Sequence, residues 1–175
     1  FVSSKESLTH NLGYVIEGLI DSYYFHNAEF KLKALEFFCS NLTKLVSDDG
    51  FIPGKISYDW KSTKKYSCLT GSAQIAISFI KLYKLNKNPD LLKKALKIFV
   101  YLKEKQNNYD ENFGGGIGAI WGSWPIDGGY QKNQSISWSL KYFIDLCNII
   151  SKDSDLVISG KLKKYLRDIY KNFNI

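Results

Sequence analysis

The sequence predicts an all-α protein built from consecutive helical hairpins, and two observations lead to this fold class. The first is an internal repeat, because the Leu-Thr pair at 8–9 returns at 69–70 and the Ala-Leu pair at 34–35 returns at 95–96, in both cases 61 positions later. The second is that two kinds of helical periodicity alternate along the chain. A stretch that is apolar on nearly every side is followed by an amphipathic stretch, and this order then repeats.

The chain of 175 residues fits one domain, which we divide into three repeats of two helices each. The repeats are placed at about 5–65, 66–130 and 131–175. The first helices of the repeats are predicted at about 8–25, 68–85 and 135–150. The second helices are predicted at about 28–46, 90–106 and 156–172. The third repeat is the weakest copy of the pattern.

The second repeat shows how its two helices differ. In the first helix, the positions from Ala73 to Tyr83 are apolar around most of the circumference, which is typical of a buried helix. The second helix turns one apolar face inward and carries lysines on the opposite face. Asn88-Pro89-Asp90 marks its start, because Asn caps helices, Pro suits the first turn and an acidic side chain suits the helix dipole.

Buried helices that alternate with amphipathic ones predict two concentric layers, with the buried helices inside. Three such hairpins are half of a closed ring of six, so the predicted architecture is half of an α/α toroid. A straight solenoid is the alternative, although its repeats are usually shorter and its loops tighter. The chain begins with Phe1 and contains no Met, so we expect it to be part of a longer protein. A homodimer, or association with a missing N-terminal half, would cover the apolar surface that a half ring exposes.

The loops between repeats are long, at 47–67 and 107–134, and in a ring of hairpins they gather above the N-termini of the inner helices. These loops contain three of the four Trp residues. Flat aromatic faces suit the apolar faces of sugar rings, and carboxylates accept hydrogen bonds from sugar hydroxyls. We therefore predict a carbohydrate site at this end of the molecule. The predicted aromatic platform consists of Trp60, Trp121, Trp124 and Tyr130.

Three side chains at the same end are candidates for acid–base catalysis. His10 lies at the start of the first inner helix, and an imidazole exchanges protons near neutral pH. Asp59 and Asp127 lie in the two loops and would act as a carboxylate pair. Each candidate has a structural alternative, namely a hydrogen-bonded His at a helix start and two Asp in turns. Gln74 adds a substrate-binding side chain at the next inner-helix N-terminus, where Cys68 is a weaker candidate nucleophile.

Four segments of the chain form a distinctive combination: THNLGY at 9–14, DGFIPG at 49–54, SCLTGSAQ at 67–74, and GGG with WGSWPI within 114–126. Together they resemble the C-terminal half of α/α-toroid proteins that are associated with polysaccharide biosynthesis. The similarity covers about residues 5–150. It implies a toroid fold and a setting near surface-glycan production, and it implies no particular reaction.

Composition and charge argue against several classes of function. No uncharged apolar stretch of about 18 residues is present, so we expect no membrane span. Three widely spaced Cys favour a reduced, cytoplasmic setting without disulfides. Two His and three scattered Cys are too few for a zinc site, and the glycine run lacks the lysine of a phosphate loop, so we expect neither a metal nor a cofactor.

The net charge of +7 is the one feature that suggests a nucleic-acid partner. The lysines fall mainly on the predicted outer helices, however, at 31, 33, 93, 94, 97, 103, 105, 161, 163 and 164. Such positions predict a solvated outer surface, and we expect no nucleic-acid partner. Helix N-termini at the loop end instead favour an anionic group such as a uronate or phosphate.

Three functions are therefore consistent with the sequence. The first is an enzyme that acts on a carbohydrate or anionic glycan in glycan biosynthesis or processing. The second is a non-catalytic glycan- or protein-binding module on the same scaffold. The third is a helical scaffold for protein partners, which predicts that His10 does not meet the two long loops.

Overall fold

The computed structural model describes residues 5–106 and 116–152. The helices in this part are α1 (Thr9–His26), α2 (Glu29–Leu45), α3 (Leu69–Asn86), α4 (Pro89–Glu104) and α5 (Ser137–Lys152). The strands are β1 (Glu6–Leu8), β2 (Lys55–Ser57), β3 (Ser67–Cys68) and β4 (Ser123–Trp124). The all-α prediction is confirmed, and each of these helices begins and ends within two residues of its predicted position. The predicted helix at 156–172 lies outside the described residues.

Helix α3 is the centre of the fold, because it packs against α1, α4 and α5. Every residue of α3 from 69 to 80 is buried, as predicted for an inner helix. That stretch contains no charged side chain, so burying it does not require removing a charge from water. Helices α1, α3 and α5 form the inner layer, while α2 and α4 contact each other and pack outside it.

Two small antiparallel sheets connect the loops to the starts of the inner helices. Strand β1 pairs with β2, and β3 pairs with β4. The sequence does not predict these strands, because two or three residues are too few to show the alternation by which a strand is recognised. Strands β1 and β3 lie directly before α1 and α3, so the sheets hold part of each long loop beside the start of an inner helix.

The loop after α2 is attached to the backbone and side chains of α4. Gly50 has a φ of +88°, and a Cβ there would lie 2.1 Å from the carbonyl oxygen of Lys97. The Lys97 side chain is only 11% exposed and lies 2.6 Å from the carboxylate of Asp48, while Lys94 donates to the carbonyl of Val46 at 2.6 Å. The prediction of a solvated outer face is therefore wrong for these two lysines, which hold the loop to the outer layer.

Candidate functional site

The long loops reach the N-terminal ends of the inner helices, as predicted. The backbone N–H of Thr9 donates to the carbonyl of Gly54 at 3.0 Å, and that of Leu69 donates to the carbonyl of Gly122 at 3.1 Å. These bonds satisfy N–H groups that the first turn of a helix leaves without an internal partner. Parts of both loops therefore lie over one end of the inner layer, beside the start of α1 and α3.

His10 begins a chain of three side chains that connects α1 to α3. Its Nδ1 lies 2.7 Å from Oε1 of Gln74, and Nε2 of Gln74 donates to a carboxylate oxygen of Glu17 at 3.2 Å. A carboxylate only accepts hydrogen bonds, so it turns the amide NH₂ group toward Glu17 and the amide oxygen toward His10. That oxygen also only accepts, so Nδ1 of His10 carries the proton. Nε2 of the neutral ring is then the nitrogen that can accept a proton.

Two glycines allow α1 and α3 to approach closely enough for this contact. A Cβ at Gly71 would lie 2.5 Å from the backbone nitrogen of His10. A Cβ at Gly13 would lie 2.7 Å from the Cβ of Gln74. Real Cβ atoms do not approach their neighbours so closely, so any larger residue would push the two helix starts apart. The absence of both Cβ atoms therefore brings His10 within hydrogen-bond range of Gln74.

Tyrosine rings surround His10. The centroid of its ring lies 4.6 Å from that of Tyr14 and 5.6 Å from that of Tyr130, while Tyr142 is 6.5 Å away. Tyr130 comes from the second long loop, and its hydroxyl accepts a hydrogen bond from Nε1 of Trp138 at 2.9 Å. Burial raises the pKa of Tyr130 and of Tyr142, so both phenols stay protonated and able to donate. Aromatic faces combined with hydroxyl donors suit a sugar.

The two predicted carboxylates lie in surface turns. Asp59 accepts a hydrogen bond from Ser57 at 2.5 Å and pairs with Lys61 at 3.0 Å. These contacts lower the pKa of Asp59, with the hydrogen bond from Ser57 as the largest cause. Asp127 is exposed in the turn at 125–128, which a backbone hydrogen bond of 2.9 Å closes. In the part of the chain that the structure describes, neither carboxylate is hydrogen-bonded to His10.

The predicted tryptophans are mostly packed against other parts of the protein. The ring of Trp60 meets that of Phe38 on the outer helix α2 edge-on, with centroids 5.4 Å apart. Trp121 is 6% exposed and belongs to the core. Trp124 is half-buried, and Nζ of Lys105 lies 5.4 Å from its ring centroid. Of the predicted platform, Tyr130 is the ring that the structure places beside His10.

Several residues of the cluster around His10 are absent from the sequence prediction, namely Tyr14, Glu17, Trp138 and Tyr142. Positions 10, 14 and 17 follow the spacing of one helix face, so the sequence holds a signal that Tyr14 and Glu17 accompany His10. The contact of Glu17 with Gln74 joins residues 57 positions apart on different helices. No local periodicity predicts such a contact, and the same is true of Tyr142 on α5.

The pKa of Glu17 leads to a prediction about stability. Burial raises it above its ordinary value of 4.5, while the hydrogen bond from Gln74 and the charge of Lys81 act in the opposite direction. Between the ordinary and the raised pKa the folded protein thus binds more protons than the unfolded chain, and stability falls as pH rises through the folded pKa. We expect Glu17→Gln to be more stable than the wild type at neutral pH, with the difference shrinking in acid. Urea unfolding at several pH values measures this, and a difference that grows in acid would contradict it.

The Cys68 thiol at this end of the protein is in the wrong protonation state for a nucleophile at neutral pH. Burial raises the pKa of the Cys68 thiol to about 12, so it carries almost no nucleophilic thiolate at neutral pH. All three cysteines are free thiols. Among residues 5–106 and 116–152, no group of three or more His, Cys, Asp or Glu side chains is placed to hold a metal ion.

Comparison with known proteins gives a similarity of fold. No protein-family model matches the chain, and no curated protein has a matching sequence. In the part that the structure describes, no helix is both long and apolar enough to cross a membrane. The crystal structure of D-mannose isomerase superposes with a TM-score of 0.59 and 16% sequence identity over 97% of this chain. The chain spans 44% of the length of that protein. It is therefore an all-α half toroid whose fold resembles part of D-mannose isomerase.

Proposed function

We propose that this protein acts on a carbohydrate at the long-loop end of the inner layer, with His10 as the general acid–base residue. The observation that carries the proposal is the hydrogen-bonded chain from His10 through Gln74 to Glu17. This chain holds the proton on Nδ1 and leaves Nε2 as the base, among aromatic rings that suit a sugar. The carboxylate of Glu17 in this chain is partly buried, which costs free energy, and such a cost is typical of functional sites.

One histidine held in this way suits proton transfer to and from carbon. Nε2 can take the proton from a carbon beside the carbonyl of an open-chain sugar, and the resulting enediolate then takes it back from the imidazolium. Return to the neighbouring carbon, while the hydroxyl proton passes to the former carbonyl oxygen, is isomerisation. Return to the same carbon, after the enediolate has turned its other face to the imidazolium, is epimerisation. Tyr130 and Tyr142 can donate hydrogen bonds to the oxygen on which negative charge develops.

The fold similarity to D-mannose isomerase supports this class of reaction. Hydrolysis by a pair of carboxylates requires that the two groups flank one bond. The separate surface positions of Asp59 and Asp127 give this reaction less support than proton transfer by His10. For substrate binding we propose Gln74, Tyr130 and Trp124 from the sequence prediction, with Tyr14 as a further aromatic face. Trp60 and Trp121 would contribute through the packing that shapes the site.

Replacing His10 with Asn tests the proposal. We expect the variant to exchange carbon-bound protons about 10²- to 10⁴-fold more slowly than the wild type, because the acid–base group is lost. Proton NMR in D₂O, with D-mannose and D-fructose as probes, measures both the exchange of carbon-bound protons and net conversion. His26→Asn is the matched control, since His26 is the other histidine of the chain and is exposed at the end of α1.

Two outcomes would change the assignment. If His10→Asn and His26→Asn exchange protons at the wild-type rate, His10 is not the acid–base residue. If the wild-type protein binds sugars saturably and exchanges no protons, the protein is a non-catalytic glycan-binding module. The tyrosine rings around His10 are the observation that favours this second candidate, because they provide a binding surface without requiring a reaction.

We further propose a role in glycan or polysaccharide biosynthesis or processing in the cytoplasm, without a nucleic-acid partner. Free cysteines support the reduced compartment. We also propose that the chain works with further helical hairpins, from a second copy or from a missing N-terminal half, which complete the ring. Two observations support this: the 44% coverage of D-mannose isomerase, and the exposed ring of Phe30 (70%).

A further inference from the structure

A groove of about 560 Å³ lies along the inner layer. Its lining residues come from α1, α3 and α5, with none from the outer helices α2 and α4. The charged part of the lining consists of four lysines and two carboxylates: Lys81, Lys84, Lys141, Lys152, Glu17 and Asp145. The prediction that the positive charge belongs mainly to the outer wall is therefore incomplete, because four lysines from two inner helices, α3 and α5, meet in this groove.

The groove begins where the chain from His10 ends. Glu17 is both the last member of that chain and a lining residue of the groove. Seven residues of helix separate it from His10, a rise of about 10 Å. Nζ of Lys141 lies 4.0 Å from the ring centroid of Tyr142, which is itself 6.5 Å from the His10 ring. One extended molecule can thus contact the acid–base site and the lysines together.

The existing ion pairs of the groove are of a kind that a ligand can displace. Lys141 pairs with Asp145 at 2.8 Å, with side chains 59% and 41% exposed, and Lys81 lies 3.8 Å from Asp21. Exposed pairs of this type contribute little free energy, so each ammonium group can exchange its carboxylate for another anion. Lysine is a compact charge on a flexible stem, which suits the oxygen atoms of a phosphate or a carboxylate.

We propose that this groove binds the phosphate or carboxylate group of an acidic carbohydrate whose sugar ring reacts at His10. The inference rests on the proposed carbohydrate function for the nature of the ligand. Binding of the anionic group itself does not depend on any reaction. The lysines exceed the carboxylates of the lining, so the field in the groove favours an anion and weakens with added salt.

Binding of three related sugars to the full chain tests this inference. D-mannose 6-phosphate supplies a phosphate, D-glucuronate supplies a carboxylate, and D-mannose is the neutral reference. We expect an anionic sugar to bind at least about tenfold more tightly than D-mannose at low salt, and to lose that advantage at high salt. Isothermal titration calorimetry or ligand-observed NMR measures the dissociation constants, and the phosphate and carboxylate arms show which anion the groove prefers.

Two double variants that each remove two lysine charges test whether the anionic sugar binds in the groove. Lys81→Gln with Lys141→Gln removes two charges from the groove, whereas Lys93→Gln with Lys103→Gln removes two exposed charges from α4. We expect the first to weaken binding of the anionic sugar by about tenfold, with D-mannose binding unchanged, and the second to have little effect.

Three results would overturn the inference. The first is equal binding of all three sugars, the second is no binding of any of them, and the third is an equal loss of affinity for the anionic sugar in both double variants. The proposed function fails on a different result. If the anionic sugars bind as expected and the wild type exchanges no carbon-bound proton, the groove stands as an anion site while the catalytic role of His10 is rejected.

Discussion

Replacing Phe79 with Ala is expected to lower the free energy of unfolding by about 3–5 kcal/mol, the usual cost of removing a buried aromatic ring. Phe79 is fully buried on α3, the helix that contacts α1, α4 and α5. Its ring is surrounded by close-packed side chains, so the structure cannot collapse fully into the space left behind. Urea unfolding followed by circular dichroism measures the change.

Phe25→Ala is the matched control for Phe79→Ala. It makes the same chemical change on another inner helix, α1, where the ring of Phe25 is 84% exposed. We expect the control to change the free energy of unfolding by less than about 0.5 kcal/mol. Similar losses in the two variants would show that α3 is not the centre of the core.

Replacing Gly71 with Ala is expected to destabilise the protein by about 1–3 kcal/mol and to slow proton exchange by up to about 10²-fold. The added Cβ would lie 2.5 Å from the backbone nitrogen of His10 and 2.7 Å from the carbonyl carbon of Thr9. Backbone atoms cannot rotate away from it, so the start of α1 has to move. That movement separates His10 from Gln74 and loosens the orientation of the imidazole.

Gly18→Ala separates this effect from ordinary helix propensity. Gly18 lies on α1, and a Cβ added there meets no atom within 4 Å. Alanine is favoured over glycine inside a helix, so this control should stabilise the protein by about 0.5–1 kcal/mol and leave exchange unchanged. The two Gly→Ala changes are therefore expected to have opposite signs. If Gly71→Ala stabilised the protein, the starts of α1 and α3 would have to lie farther apart than they do in the structure.

The helices follow from local signals, and this explains why the sequence predicts them closely. At the start of α4 the side chain of Asn88 accepts a hydrogen bond from the backbone nitrogen of Asp90 at 3.1 Å. Asn88 therefore caps the helix, as its sequence pattern predicts. The burial of α3 follows from the lack of charged residues between 69 and 80. Such features depend on residues a few positions apart and need no knowledge of the rest of the fold.

The sequence also predicts part of the candidate site. The sequence predicts His10, Gln74 and Tyr130 at the loop end, and the structure places them together. The sequence predicts Asp59 and Trp60 at the same site, but the structure places them in a turn beside α2. The direction of a turn depends on its own hydrogen bonds and on the surface it packs against, here the ring of Phe38.

The sequence by itself determined the fold class, the helix positions and the end of the molecule at which the long loops meet. Only the tertiary structure decided which side chains touch there, and it selected Glu17 and Tyr142 as neighbours of the chain that begins at His10. The physical reason is that helical periodicity reports which face of one helix is buried. Contacts between helices depend instead on how closely the backbones approach, and Gly71 sets that distance beside His10.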